Sequence, residues 1–195
     1  MNYPLNLSFK IIAIAPQISV TDASGSLVMY VKQKAFKLKE AVTVFADQGQ
    51  TQPLYTINAD RVLDFSASYH MTATNGHQIG SIKRQGMRSI WRSHYDLFDP
   101  SGQPTVSIRE ENGWVKVGDA VLNGIPVLGM FTGYFLNPTY LATRSNGQPL
   151  MRLSKEPAFF EGRFRMDPLG PMDQVEESRV VLGLLMMILL ERSRG

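Results

Sequence analysis

Apolar and polar residues alternate along most of this chain in short runs of roughly four to seven residues, each broken by turn formers, and period-2 alternation at that length predicts half-buried strands. Only the last stretch departs from the pattern. From Val180 to Leu190 the chain is apolar throughout, with Glu176 and Glu177 before the run and Glu191, Arg192 and Arg194 after it. A helix apolar on every side must be buried, in a bilayer or inside protein. At ~1.5 Å per residue the run spans about 17 Å, against the roughly 30 Å of hydrocarbon that a transmembrane helix must cross, so burial within protein is the expectation. Asp173 supplies an N-cap and Glu176, three residues on, completes a capping-box-like pattern. Acidic residues at the start and arginines at the end suit the helix dipole. The expected element is a C-terminal core helix at about 174–192, threading the lumen of a barrel.

The strands are punctuated by similar turns. Asp22 to Gly25, Thr72 to Gly76, Asp99 to Gly102 and Arg144 to Gly147 each lead into a β-like run, and aligning the four glycines brings Val31, Ile82, Ile108 and Leu153 to one register, followed by Lys32, Lys83, Arg109 and Ser154. Such turns need positive φ, which glycine supplies, so each copy reads as strand, turn, strand. The glycine spacings, about 51, 26 and 45 residues, are too unequal for a solenoid or propeller. Further runs at Val42 to Ala46, Leu54 to Ile57, Ser89 to His94, Phe131 to Leu136 and Phe159 to Met166 bring the total to about twelve strands, the last bent at Gly162. The fold class expected is mainly β, a closed antiparallel barrel of about 12 strands around a buried hydrophobic C-terminal α-helix.

Composition narrows the function classes. The 195 residues suit a single domain, 1–195, and 44% hydrophobic with 19% charged residues describe an ordinary globular chain. A formal charge of +3 falls short of the dense basic field expected for nucleic-acid binding. The chain has no cysteine, which excludes disulfides, thiol nucleophiles and thiolate metal sites. The apolar stretch Ile11 to Ala15 is too short for a signal-peptide core, so a cytoplasmic protein, peripheral at most to a membrane and not transmembrane, is expected.

The segments Val20 to Gly25, Val31 to Leu38 and the second turn at Asp47 to Gly49 repeat a turn ending in Gly, a strand, a Lys-x-Phe-x-Leu strand and another turn. From about Phe9 to Glu191 the chain thereby resembles the LURP-one-related group of the tubby-like superfamily, which also includes the phospholipid scramblases. The resemblance implies a barrel around a hydrophobic helix, no established enzymatic activity, and roles at membranes or in defence and signalling. The chain lacks the scramblases' proline-rich tail and cysteine cluster. Asp167, Asp173, Glu176 and Glu177 also lack the alternating spacing of a calcium loop and read as linker and helix cap.

Basic residues cluster twice: Lys32, Lys34, Lys37 and Lys39 in one stretch, and Lys83, Arg84, Arg88 and Arg92 in another, interleaved with Met87, Ile90 and Trp91. These eight are the candidate contacts for an anionic headgroup of phosphoinositide type, because polybasic segments gain roughly 1 kcal/mol per cation near an anionic leaflet. The plain alternative is a solvated face whose lysines discourage strand-to-strand aggregation. His70 and His77 flank one turn but lack the further ligands of a metal site. No Gly-x-Ser-x-Gly elbow, Walker loop, Rossmann fingerprint or His-Glu-x-x-His occurs. Asp60, Asp64, Glu110 and Glu111 form an acid/base pair only if the fold converges them, and the aromatic stretch Phe131 to Tyr140 reads as barrel core before a ligand lining. The reading is a non-enzymatic binding module without cofactor or metal, recognising anionic phospholipid or a protein partner through a basic face. The alternative is an enzyme or small-ligand carrier with a pocket at a barrel mouth near Trp91, Trp114 or Tyr134.

Overall fold

Leu5, Leu7 and Phe9 are buried while Asn6, Ser8 and Lys10 face outward, and the same alternation recurs from strand to strand. The computed structural model describes residues 1–10, 17–32, 41–61, 67–85, 94–111, 138–157 and 161–192. The strands are β1 (Leu5–Lys10), β2 (Gln17–Thr21), β3 (Leu27–Lys32), β4 (Val42–Phe45), β5 (Pro53–Ala59), β6 (Ser68–Ala73), β7 (Gln78–Arg84), β8 (His94–Phe98), β9 (Pro104–Glu110), β10 (Thr139–Arg144), β11 (Pro149–Glu156) and β12 (Glu161–Pro168), and the helix is α1 (Gln174–Arg192). Each strand pairs antiparallel with its sequence neighbours, and β1 closes on β12. The expected twelve-strand barrel with its C-terminal helix is thus observed. Closure removes the sheet edges that a chain of this composition otherwise has to protect.

The direction of the strands divides the molecule into two ends. Odd-numbered strands finish at one end, called here the distal end, where Lys10, Lys32, Ala59, Arg84, Glu110 and Glu156 terminate them. All five tight connections, β2–β3, β4–β5, β6–β7, β8–β9 and β10–β11, lie at the opposite, turn end. Gly25, Gly76, Gly102 and Gly147 adopt φ of 82, 83, 81 and 88°, and the ladder shifts register beside each turn, as a turn followed by a left-handed glycine and a bulge requires. The turn at Asp47 differs from expectation. There the left-handed position is Gln50, at φ 60°, and not Gly49. Asp22, Asp47 and Asp99 hold these turns by accepting backbone N–H groups, such as Ser26 on Asp22 at 3.0 Å and Gln103 on Asp99 at 2.9 Å. Hydrogen bonds, led by Ser24 for Asp22, the Gln52 amide for Asp47 and Ser101 for Asp99, hold all three carboxyls below the ordinary aspartate range.

Val31, Ile82, Ile108 and Leu153, the aligned register of the repeat, all point into the lumen and are buried. There they meet α1, which is buried from Ser178 to Leu189. The helix enters from the turn end and runs to the distal end. Its cap is as expected in part: Asp173 accepts the N–H groups of Val175 and Glu176 at 2.9 and 2.8 Å. The second half of the capping box is replaced, because the Glu176 carboxylate is taken by Arg144 of β10 through Nε at 2.8 Å and through Nη2. A charge-assisted, two-point pair outcompetes one bond to a backbone N–H. At Gly162 the β12 ladder runs through without a register shift; the glycine leaves room for Arg192, whose Nη1 lies 3.0 Å from where a Cβ would stand. Of the expected strands, Phe131 to Leu136, all of Ser89 to His94 before His94 itself, and the first two residues of Phe159 to Met166 lie outside the described residues.

Candidate functional site

The outer wall of the barrel is polar and its lumen apolar. Asn6, Ser8, Ser19, Ser107, Arg152 and Ser154 face out from strands whose alternate residues are fully buried, the reverse of the apolar-out pattern of a bilayer-spanning barrel. No helix among the described residues is long and apolar enough to cross a membrane. Exposed chemistry on this wall is concentrated toward its two ends.

At the distal end, Lys10 of β1 and Lys32 of β3 both stand opposite Gln17 of the intervening β2 and are both exposed. Two strand steps separate them, about 10 Å around the rim. Lys10 was not among the sequence candidates. The signal for it is the alternation Leu5, Leu7, Phe9, which fixes Lys10 as outward and terminal on β1. Lys83 also faces outward, on β7, but four strand steps from Lys32, about 19 Å around the wall. Lys83 stands directly opposite Asp96 of β8. Asp96 in turn lies 3.3 Å from His94 Nε2 and accepts from Gln85, while Arg109 of β9 stands opposite His94. The described residues therefore form two separate groups on the rim, Lys10 with Lys32, and Lys83 with Arg109 amid counter-charge. Lys34, Lys37, Lys39, Arg88 and Arg92 lie outside the described residues, as do Trp91, Trp114 and Tyr134 and the carboxylate Asp64.

Arg84 takes a different place from its neighbour Lys83. It stands opposite Tyr95, which is fully buried in the lumen, so alternation turns Arg84 to the inner side of the rim, where its Nε is buried with no hydrogen-bond partner among the described residues. The Tyr95 hydroxyl donates to Glu191 of α1 at 2.5 Å, and burial first, then this bond, push the tyrosine well above its ordinary pKa. Arg192, the last residue of α1, lies 4.1 Å over the Phe9 ring, and burial lowers its pKa. Tyr95 and Phe9 thus hold the end of the helix in the mouth of the barrel.

Carboxylates dominate the turn end. Asp22, Asp47 and Asp99 cap its turns and Asp173 caps α1. Of the four acids weighed for calcium, Asp167 pairs with Arg165, Asp173 caps, Glu176 binds Arg144, and Glu177 meets the Met1 amino group at 3.0 Å. Asp60, which directly follows β5, stands four strands from Glu110 on β9, about 19 Å around the wall, and Glu111 pairs with Arg152 at 3.1 Å. Those acids do not converge. His70 faces Ser81 across the β6–β7 ladder, not His77.

The family model described as LURP-one-related matches residues 27–167, which run from the start of β3 through most of β12. No curated protein matches the sequence. A protein from Arabidopsis thaliana of known X-ray structure is similar to this chain with a TM-score of 0.50 at 13% identity, over 97% of this chain and 91% of the other. At that identity the likeness is one of fold.

Proposed function

The chain belongs to the LURP-one-related family, and from that membership and the chemistry of the distal rim we propose that it is a non-enzymatic binding module that docks on anionic phospholipid surfaces. The observation that carries the reading is the row Lys10, Gln17, Lys32, whose two exposed ammonium groups stand about 10 Å apart on one rigid rim, with Lys83 and Arg109 further round. Flexible, strongly hydrated ammonium groups suit headgroup phosphates at the level of the interface. The contact set comprises Lys32 and Lys83 together with the sequence candidates Lys34, Lys37, Lys39, Arg88 and Arg92, with Arg84 approaching from the inner side of the same rim. The polar outer wall suits peripheral docking, and the sequence's likeness to the tubby-like plan points the same way.

Flotation with phosphatidylcholine vesicles, plain and doped with phosphatidylserine or a phosphatidylinositol bisphosphate, tests the reading. Wild-type protein is expected to float only with the anionic vesicles. At about 1 kcal/mol per cation, the double variant Lys10→Glu, Lys32→Glu is expected to bind at least ~30-fold more weakly. Arg165→Glu, a reversal midway along the outer wall, is expected to lose far less than either single rim variant. Equal binding by wild type and the double variant overturns the rim as the site, and no binding to any vesicle overturns the lipid reading in favour of a protein partner.

A further inference from the structure

Charge on this molecule is sorted along the barrel axis. Outward-facing Lys10, Lys32, Lys83, Arg109 and Arg163 end their strands, or nearly so, at the distal end. At the turn end stand Asp22, Asp47, Asp99, Asp173, Glu176 and Glu177, answered by Arg144, by the Met1 amino group beside Glu177 and by the buried Arg179. The distal end also holds acids: Glu111 is bound to Arg152, Glu156 stands opposite Arg163, Asp96 stands opposite Lys83, Glu191 accepts from Tyr95, Asp60 accepts the Ser68 N–H, and the exposed Glu110 ends β9.

We propose that the protein docks end-on, with the distal rim against the anionic surface and the barrel axis close to the membrane normal, so that the turn end points away. The proposal rests on the lipid-binding reading above and specifies its geometry. A seven-residue strand such as β7 is about 23 Å long and, tilted by the roughly 35–45° that barrel closure requires, spans about 16–19 Å along the axis, about twice the ~8 Å Debye length at physiological salt. With the rim in contact, the acidic turn end lies outside the range at which the surface repels it. Inverted, the same carboxylates meet the anionic headgroups directly. Side-on, attraction at one end is offset by repulsion at the other. Hydrogen bonds hold the Asp22, Asp47 and Asp99 carboxyls below the ordinary aspartate range, which favours their charged form. The dipole of α1 runs the opposite way, its negative end distal, but amounts to about half a charge at each end. The turn end carries the exposed apolar residues Leu169 and Val175, yet these adjoin Asp173, Glu176 and Glu177, which an anionic surface repels.

A chain without cysteine allows one environment-sensitive fluorophore per molecule. Single cysteines replace Gln17 or Gln85 at the rim, Thr43 midway along the outer wall, and Ala23, Gln103 or Gln174 at the turn end. Each labelled protein is mixed with phosphatidylcholine vesicles containing phosphatidylserine or a phosphatidylinositol bisphosphate, with nitroxide-headgroup lipid as quencher, and binding is measured in parallel by flotation. The rim labels are expected to shift blue and be quenched at least two-fold, and the Ala23, Gln103 and Gln174 labels to be unchanged. If Thr43 and one turn-end label are quenched as strongly as the rim, the protein lies on its side. If the turn-end labels alone respond, it stands inverted. Either result with flotation intact overturns the end-on geometry and leaves lipid binding standing, whereas absence of flotation overturns both.

Discussion

Leu185→Asp is expected to abolish cooperative folding. Leu185 is fully buried at the centre of α1, within a stretch buried without a break from Ser178 to Leu189. Each Leu, Ile or Val side chain buried there contributes roughly 1.5–3 kcal/mol, and several together equal or exceed the ~5–15 kcal/mol net stability of a typical domain. Leu185 belongs to an apolar core cluster of the described residues, so desolvation of a new carboxylate's charge, or the forced uptake of a proton, is costly there. A chain ending at Arg179 is expected to fail in the same way, since the twelve strands then enclose an empty lumen. Leu185→Met, which conserves volume, is expected to cost under about 1.5 kcal/mol. Circular dichroism and urea denaturation distinguish the cases. A sigmoidal unfolding transition for Leu185→Asp near the wild-type midpoint contradicts the role given to the helix.

Gly80→Ala is expected to cost about 3–5 kcal/mol, from strain at a forbidden φ and from overpacking together. Gly80 lies in β7 at φ 137°, and a Cβ there would stand 2.1 Å from the Phe98 carbonyl oxygen and 2.9 Å from Arg179 Nε. The first neighbour is backbone of β8, fixed by its ladder. The second belongs to an arginine only 7% exposed, whose Nε donates to the Ile79 carbonyl at 2.7 Å and whose Nη1 donates to Thr105 Oγ1 at 3.3 Å. The helix lies close against this wall, and Gly183 of α1 similarly faces Leu97, whose Cδ2 would be 2.5 Å from an added Cβ. Because the clash with Phe98 does not involve Arg179, adding Arg179→Ala to Gly80→Ala is not expected to restore stability. A urea midpoint showing a loss below about 1 kcal/mol for Gly80→Ala contradicts the positive φ at Gly80 and its close approach to the Phe98 carbonyl.

Much of this fold is legible in the chain because its signals are local. The four glycine turns predict four of the strand pairings, β2–β3, β6–β7, β8–β9 and β10–β11, and the residues aligned by those glycines, Val31, Ile82, Ile108 and Leu153, are buried in the lumen. The apolar run and Asp173 mark the helix at Gln174–Arg192. What escapes a reading of the chain depends on partners distant in sequence. Glu176 looks like a capping-box residue until Arg144, thirty-two positions earlier, is seen beside it. Arg179 reads as polar flank to an apolar helix, yet the Ile79 carbonyl, a hundred positions away, allows its burial. The arrangement of the candidate cations is not legible in the chain. Lys83 and Arg84 look like one basic pair, but adjacent residues of a strand face opposite ways, and only the register opposite Tyr95 shows that Arg84 is the inner one. Lys10 joins Lys32 because β1 and β3 flank β2, a neighbourhood set by topology and invisible in the spacing of the two lysines.

The most direct test of the rim as an anionic-surface site is the partition coefficient of the intact protein on phosphatidylserine-containing vesicles across a series of salt concentrations, beside that of Lys10→Glu, Lys32→Glu. Wild-type partitioning is expected to fall steeply as salt rises and the rim charges are screened, and the double variant to bind weakly with a shallower slope. Partitioning that is equal for the two proteins and flat across the salt series contradicts it.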